Sequence, residues 1–204
     1  MKFSLTALIA PLLLLPLATA LSPRAPIPEL EPRAAATCSK PQANTCTFYT
    51  KCLEPAFKCG KNGYPLNYGL KYCKKFSSAK KKFSPRGKAW VTKTMLCLQN
   101  KLVNDVKKPK IGCSKLRSKA FATHPECYVK SGLCVLPTSD WAKIVATVSI
   151  KELFGSVQAL KATLDTVDGC MGFYKWLIKK GLIKVKNGVV SWAKGVWDTI
   201  TGWF

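Results

Sequence analysis

Cysteine is the residue whose number and spacing could do the most chemistry in this chain of 204 residues. The chain has ten cysteines and one histidine, and no two cysteines form a Cys-x-x-Cys pair. Structural zinc sites use such pairs or combine cysteine with histidine, so we expect no metal or other cofactor. In an exported chain, an even number of cysteines instead predicts disulfides. The ten cysteines are Cys38, Cys46, Cys52, Cys59, Cys73, Cys97, Cys113, Cys127, Cys134 and Cys170.

His124 is the one residue that could suggest an enzyme. The segment His124-Pro125-Glu126-Cys127-Tyr128 superficially matches the His-Asp-x-Cys-Tyr segment of secreted phospholipase A2, in which histidine activates water beside a calcium-binding aspartate. Here proline occupies the aspartate position and no glycine-rich calcium loop is evident, so the metal and the histidine lack their supporting parts. The alternative is a helix-end histidine near Pro125.

Other catalytic patterns are missing from the sequence as well. There is no Gly-x-Ser-x-Gly elbow, phosphate-binding loop or metalloprotease motif. Asp165 and Asp168 lie three residues apart, but two carboxylates are too few for a calcium site, and a solvated helix face is the preferred interpretation. With so few acids and one histidine to transfer protons, the sequence predicts a protein that is not an enzyme.

The first 36 residues predict export from the cell. Lys2 precedes an apolar stretch from Leu5 to Leu17, and Ala18-Thr19-Ala20 has the form of a signal-peptidase site. A transmembrane anchor is the alternative, but the apolar run is short for a span. Residues 21–36 are rich in proline and alanine and predict a spacer or propeptide. We therefore expect a signal peptide over residues 1–20 and a secreted, extracellular protein.

Apolar residues recur at helical spacing through the middle of the chain. Residues 38–63 carry four cysteines among prolines and glycines, which predicts a loop-rich cysteine knot with one short helix. Ser84-Pro85 is a helix start signal, because the hydroxyl can cap free amides and proline suits the first helical position. The sequence predicts an all-α, disulfide-stabilised helical bundle over residues 37–170. Its helices are expected over Leu66–Lys82, Ser84–Val103, Ile111–Phe121, Glu126–Cys134, from Thr138-Ser139-Asp140 onward, and over Leu153–Cys170.

The charge of the chain indicates what it binds. Thirty-three Lys and Arg face ten Asp and Glu, for a formal net charge of +23. Such a protein attracts anions, so the expected partner is an acidic extracellular protein, an anionic glycan or an anionic membrane surface. No base-reading module is recognisable, and specific nucleic-acid binding is not expected.

Residues 171–204 form a cationic tail with four of the six tryptophans, six lysines and one acid. The spacing predicts two amphipathic helices separated by Asn187-Gly188. Their apolar faces could dock on the bundle, contact a membrane, as cationic amphipathic peptides do, or bind a protein. The candidate contact residues are Trp176, Lys179, Lys180, Lys184, Trp192, Val196, Trp197, Ile200, Trp203 and Phe204.

The chain resembles the stanniocalcin family from Cys38 to Cys170, and the resemblance is strong through Cys134. The cysteine intervals of 24, 16, 14 and 7 residues from Cys73 to Cys134, the segment YCKKFSSAKKKFSPRGKAWVTKTMLC and the element Glu126-Cys127-Tyr128-Val129-Lys130 are similar to that family's ordered motifs. The resemblance implies a secreted, helical, hormone-like and non-catalytic protein. It also implies the disulfides Cys38–Cys52, Cys46–Cys73, Cys59–Cys113, Cys97–Cys127 and Cys134–Cys170.

Two features depart from that family. No further cysteine follows Cys170 to link a dimer, and no Asn-x-Ser/Thr glycosylation site occurs. A covalent dimer is therefore not expected, while a non-covalent dimer stays open. Two functions remain from the sequence: a secreted binding or signalling protein, which could be a host-directed effector, and a membrane-active antimicrobial or cytolytic effector that uses its C-terminal helices.

Overall fold

The structure is a computed structural model that describes residues 38–154, 170–187 and 189–192. These residues are mostly helical and cross-linked by five disulfides, which confirms the predicted disulfide-stabilised all-α fold. The signal peptide, the spacer, most of the helix expected over Leu153–Cys170 and the end of the tail lie outside the described residues.

The α-helices vary from one turn to five. We number them α1 Glu54–Phe57, α2 Lys71–Ala79, α3 Pro85–Asn100, α4 Val103–Lys107, α5 Cys113–Lys130, α6 Thr138–Thr147, α7 Ile150–Phe154 and α8 Met171–Lys179. Two π-helical segments, Tyr49–Leu53 and Tyr64–Leu70, and two 3-10 turns, Lys80–Lys82 and Leu133–Val135, join them. Strands β1 Ile183–Lys186 and β2 Val189–Trp192 follow α8.

Helices α3 and α5 pair through the centre of the molecule. The disulfide between Cys97 and Cys127 joins them, and the indole Nε1 of Trp90 donates to the backbone oxygen of Tyr128 at 3.1 Å. Leu116 and other apolar side chains of the two helices are fully buried between their neighbours. Burial of such side chains contributes about 1.5–3 kcal/mol each, so this pair forms the base of the core.

Helix α5 differs from its prediction because it runs unbroken through Pro125. The sequence predicts two segments there, since an internal proline costs about 3 kcal/mol or more. Cys127 and Tyr128, one turn further on, are buried, and Cys127 is also bonded to α3. These tertiary contacts hold the helix together past the proline, and Gly132, with a φ of 102°, follows its end.

Gly69 lies in the second π-helical segment, where the sequence marks it only as a weak helix former. A Cβ atom at this position would lie 2.3 Å from Cε1 of Tyr49. Glycine is therefore required because the Tyr49 ring, itself buried, packs directly on the backbone.

We expect Gly69→Ala to lower the free energy of unfolding by about 2 kcal/mol, because the added methyl group overpacks the Tyr49 contact. Gly172, in α8, is the matched control, since a Cβ there would meet Trp141 only at 3.7 Å. Gly172→Ala should be neutral or stabilising by up to about 1 kcal/mol. Urea denaturation of both oxidised variants measures the difference, and equal effects of the two changes would contradict the packing argument.

The five disulfides are the pairs that the family resemblance implies. They close loops whose ends are 14 to 54 residues apart, with Cα–Cα distances of 4.5 to 5.8 Å. Each stabilises the fold by about 2–4 kcal/mol, mainly by restricting the unfolded chain. Such constraint offsets the mutual repulsion of a highly charged surface. The pairs are Cys38–Cys52, Cys46–Cys73, Cys59–Cys113, Cys97–Cys127 and Cys134–Cys170.

The prediction of two tail helices is wrong over the described part of the tail. The first helix ends at Lys179, and β1 and β2 then form an antiparallel hairpin in which Lys186 pairs with Val189. Two residues separate this pair in the sequence, and the first of them, Asn187, has a φ of 50°. Asn-Gly is the preferred sequence of a type I′ hairpin turn, which requires positive φ.

Candidate functional site

Carboxylates are scarce in the described residues and none of them is fully exposed. Five carboxylate side chains stand there against 28 Lys and Arg. Each of the five makes a hydrogen bond or an ion pair within the protein. Glu54 accepts from Gly60, and Glu152 accepts from Ser149. Asp105 pairs with Lys119, and Glu126 pairs with both Lys101 and Lys130. Asp140 accepts from Ser84 and Lys143.

The densest run of cations begins in α2 and ends in the first turn of α3. We call the exposed side chains of Lys71, Lys74, Lys75, Lys81, Lys82, Arg86 and Lys88 the lysine surface. The first three share one face of α2, because they are three and four residues apart. No Asp or Glu occurs between residues 71 and 88, so the segment that carries the lysine surface contributes no acid to it.

Aromatic and polar neighbours hold parts of this run in place. The ammonium groups of Lys71 and Lys75 each lie 5.2 Å from the ring centroid of Tyr72, within cation–π range. Lys80, between the two helices, donates to Oδ1 of Asn44 at 2.6 Å, and Thr92 of α3 donates to the same oxygen at 3.0 Å. The positive charges are thus partly fixed before any partner binds.

Asp140 is the acid nearest to the start of α3, and it is fully buried. Its carboxylate accepts from the hydroxyl and the backbone N–H of Ser84, and Lys143 donates to it at 3.2 Å. Burial alone would raise the pKa of the Asp140 carboxyl, but the hydrogen bonds from Ser84 and Lys143 outweigh it and hold this pKa below its usual range. Asp140 therefore compensates the positive end of α3 from inside the protein.

Asp140 does not cap α6, the helix that contains it. Pro137 precedes α6, and no side-chain cap forms there. Ser84 caps α3 as predicted, since its hydroxyl accepts from the N–H of Gly87 at 3.1 Å. A Cβ on Gly87 would lie 2.3 Å from Oδ2 of Asp140, so this glycine lets the acid reach the helix start.

His124 lies inside α5 and is buried, not at a helix end as the sequence suggested. The hydroxyl of Tyr128 lies 2.9 Å from its Nδ1 and donates to the backbone oxygen of Leu153, while the hydroxyl of Tyr64 lies 3.4 Å from its Nε2. A neutral ring protonated on Nδ1 satisfies this network. Burial lowers the pKa of His124 to about 4.

The surroundings of His124 have no room for a substrate. The adjoining cavity measures about 40 Å³ and is lined mainly by aromatic and aliphatic side chains such as Tyr68 and Val148. This volume is far below the roughly 300–1,000 Å³ of a small-molecule site. Among the described residues, no three His, Cys, Asp or Glu side chains are grouped so that they could hold a metal ion. The geometry makes His124 a structural residue.

The predicted tail contact residues divide into three groups. Trp176 is only 8% exposed and packs on Trp141, with 5.8 Å between ring centroids, so it belongs to the core and is not a surface contact. Lys179, Lys180 and Lys184 are exposed, and the backbone of Trp192 lies in β2. The remaining five, Val196, Trp197, Ile200, Trp203 and Phe204, lie outside the described residues.

The sequence interpretation did not single out the lysine surface or several exposed apolar residues. Lys71, Lys74 and Lys75 could have been found from their helical spacing, which places all three on one face. The exposure of Met171 and Val189 could not have been found from the sequence, because burial of an apolar side chain depends on which elements pack over it. In the described part of the chain, no helix has the length and apolarity required to cross a membrane.

Comparison with known proteins identifies one family. The model described as "Stanniocalcin family" matches residues 33–184 of this chain, a range that contains all ten cysteines. Searches of curated proteins and of solved structures find no match. The last 20 residues lie outside the matched range.

Proposed function

The chain belongs to the stanniocalcin family, whose members are secreted, hormone-like and non-enzymatic, and we propose that it acts by binding an acidic extracellular protein through its lysine surface. The observation that carries this proposal is the charge pattern: the described carboxylates are engaged inside the protein, and the lysine surface contains no acid. A surface of one sign speeds association with a partner of opposite sign and excludes partners of like sign.

Partial immobilisation of the lysines favours a folded protein as the partner. The cation–π contacts with Tyr72 restrict two ammonium groups, and the Asn44 contact restricts Lys80 beside them. Cations held in fixed positions bind best to carboxylates held at matching positions. A folded partner protein presents its carboxylates in such a fixed pattern. A hormone-like protein also needs a protein receptor to transmit its signal.

The cytolytic alternative loses its geometric support in the described residues. It requires two amphipathic helices with tryptophan-rich outer faces, whereas Trp176 is buried and residues 183–192 include both strands of a hairpin. Tryptophan packed on Trp141 and Phe173 cannot enter a lipid phase without opening the core.

The test replaces three lysines on one face of α2, in the variant Lys71→Gln, Lys74→Gln, Lys75→Gln. At about 0.15 M salt we expect the variant to bind immobilised poly-L-glutamate roughly 5- to 100-fold more weakly than the parent protein, because each of the three ion pairs at a partly screened surface contributes a few tenths to about 1 kcal/mol. Surface plasmon resonance with the whole oxidised protein gives the dissociation constants.

The matched control removes the same charge elsewhere, through Lys107→Gln, Lys108→Gln and Lys110→Gln in the exposed segment that begins with the last residue of α4. It should change the affinity by less than about threefold. Equal losses in both variants would show that only net charge matters, and would overturn the assignment to the lysine surface. A loss confined to heparin, with poly-L-glutamate unaffected, would replace the acidic protein by a sulfated glycan.

A further inference from the structure

The large apolar side chains that remain exposed in the described residues are all close to the tail. They are Val135, Met171, Ile178, Val185 and Val189, with exposed fractions from 41% to 66%. Scattered single exposures of this kind are normal on a protein surface, but their restriction to one group of neighbouring elements is not.

Three elements bring these side chains together. Val135 follows Cys134, Met171 follows Cys170, and the two cysteines are bonded with a Cα–Cα distance of 4.5 Å. Helix α8 contacts the 3-10 turn that contains Val135, and it also contacts β1. Phe173 and Leu182, both fully buried, fix α8 and the start of the hairpin on the core. The exposed residues therefore belong to a rigid, docked unit.

Lysines lie beside most of the apolar residues on this unit. Lys175 and Lys179 lie four and one positions from Met171 and Ile178 on α8. In the hairpin, Lys184 and Lys186 share a face with Val189, which pairs with Lys186, while Val185 lies on the opposite face; all four lysines are exposed. Residues 170–187 and 189–192 contain no Asp or Glu. We define the tail surface by these four lysines together with Val135, Met171, Ile178 and Val189. It thus combines apolar and cationic side chains, and the elements that carry it have no carboxylate.

We propose that the tail surface is a peripheral docking site for an anionic phospholipid membrane. Headgroups of one sign attract the lysines, and the apolar side chains between them enter the boundary between headgroups and acyl chains. The proposal concerns different residues from the lysine surface, so it goes beyond the proposed function and does not depend on it.

The tail surface is distinguished by its mixture of lysine and aliphatic side chains and not by a particular shape. A mixture of this kind favours a lipid surface over a folded protein as the partner. Lysine and aliphatic residues share one face of a helix and one face of a hairpin, which differ in backbone geometry. Mobile headgroups can meet lysines at either spacing, whereas a protein partner must match both. The docked position of Trp176 and the nine-residue length of α8 restrict the contact to the membrane surface.

The test measures partition of the whole protein onto sucrose-loaded vesicles of phosphatidylcholine, with or without about 30% phosphatidylserine. We expect binding to the anionic vesicles only, without release of an entrapped dye. Lys175→Gln, Lys179→Gln, Lys184→Gln and Lys186→Gln together should lower the partition coefficient by roughly 100-fold or more, since each lysine near an anionic surface contributes about fivefold.

Two further variants test the two halves of the surface. A charge-matched control, Lys107→Gln, Lys108→Gln, Lys110→Gln and Lys115→Gln, should lower partition by less than about tenfold, because these exposed lysines lie on other elements. Ile178→Ser and Val189→Thr keep the charge and remove apolar contact. We expect this variant to lose binding at about 0.5 M salt, where the parent protein retains part of it.

Three results would overturn the proposal: no binding of the parent protein to anionic vesicles, equal losses in the two fourfold lysine variants, or unchanged binding after the apolar substitutions. Unchanged thermal unfolding of each variant shows that its fold is intact.

The α2 variant used for the proposed function should still bind vesicles, and the tail variant should still bind poly-L-glutamate. Failure of one proposal is therefore distinguishable from failure of the other. If the tail variant loses poly-L-glutamate but keeps vesicles, the tail surface binds an acidic protein instead.

Discussion

Replacing Asp140 with alanine is expected to lower the free energy of unfolding by about 3–4 kcal/mol. The change removes a fully buried carboxylate and leaves the N–H and hydroxyl of Ser84, as well as Lys143, without their acceptor. Truncating one partner of a buried charged network has a cost of this size because the remaining groups stay desolvated. The start of α3 would also lose the negative charge that compensates its dipole. Guanidinium denaturation of the oxidised protein measures the change.

Glu126→Ala is the matched control for this prediction. Glu126 also accepts from two cationic side chains, Lys101 at 2.6 Å and Lys130 at 2.7 Å, and the bonds from Lys101 and Lys130 lower the pKa of its carboxyl to about 2. However, its side chain is 40% exposed, so water and salt screen both pairs. We expect a loss below about 1 kcal/mol. Similar losses for the two acids would contradict the assignment of Asp140 as a buried helix partner.

Acid should weaken the fold through His124 before the carboxylates titrate. The folded-state pKa of His124 is lowered from 6.5 to about 4, so above pH 6.5 the ring is neutral in both states and has no effect on pH dependence. Between these values the unfolded chain binds a proton that the folded protein does not. The free energy of unfolding therefore falls as the pH falls, by about 3 kcal/mol in total at pH 4.

The chain has one histidine, so a single substitution tests this expectation. Urea denaturation at several pH values from 7.5 to 4.5 should give a slope of up to about 1.4 kcal/mol per pH unit for the parent protein. His124→Gln lowers stability at every pH, because the aromatic network is disturbed, but its curve should be nearly flat across this window. A variant that keeps the parent slope would show that other groups take up the proton.

The parts of the fold that the sequence could predict are those set by local chemistry. Ser84-Pro85 marks the start of α3 because its capping and backbone preferences operate within one helical turn. The regular spacing of apolar residues predicts the helical core for the same reason. In the tail, Asn187-Gly188 is a local hairpin-turn signal, but the apolar residues around it also have helical spacing. The helical interpretation was wrong, because the two segments pair as strands.

The remainder depended on contacts between distant residues. Helix α5 continues through Pro125 because Cys127 is bonded to Cys97, thirty residues away. Trp176 lies in the core because α6 presents Trp141 to it, and an amphipathic pattern does not say what covers its apolar face. For the candidate site, the cations were visible in the sequence, but the hydrogen bonds and ion pairs that engage each of the five described acids were not.

The close approach of Gly87 to Asp140 constrains how this sequence can change over evolutionary time. A side chain at position 87 fits only after the acid at position 140 has been shortened or removed, and removal of the acid alone has a high cost in stability. Neither single step is neutral, so the two positions, 53 residues apart, are expected to vary as a pair among related sequences. The residue at the start of α3 and the acid of α6 are therefore expected to change together.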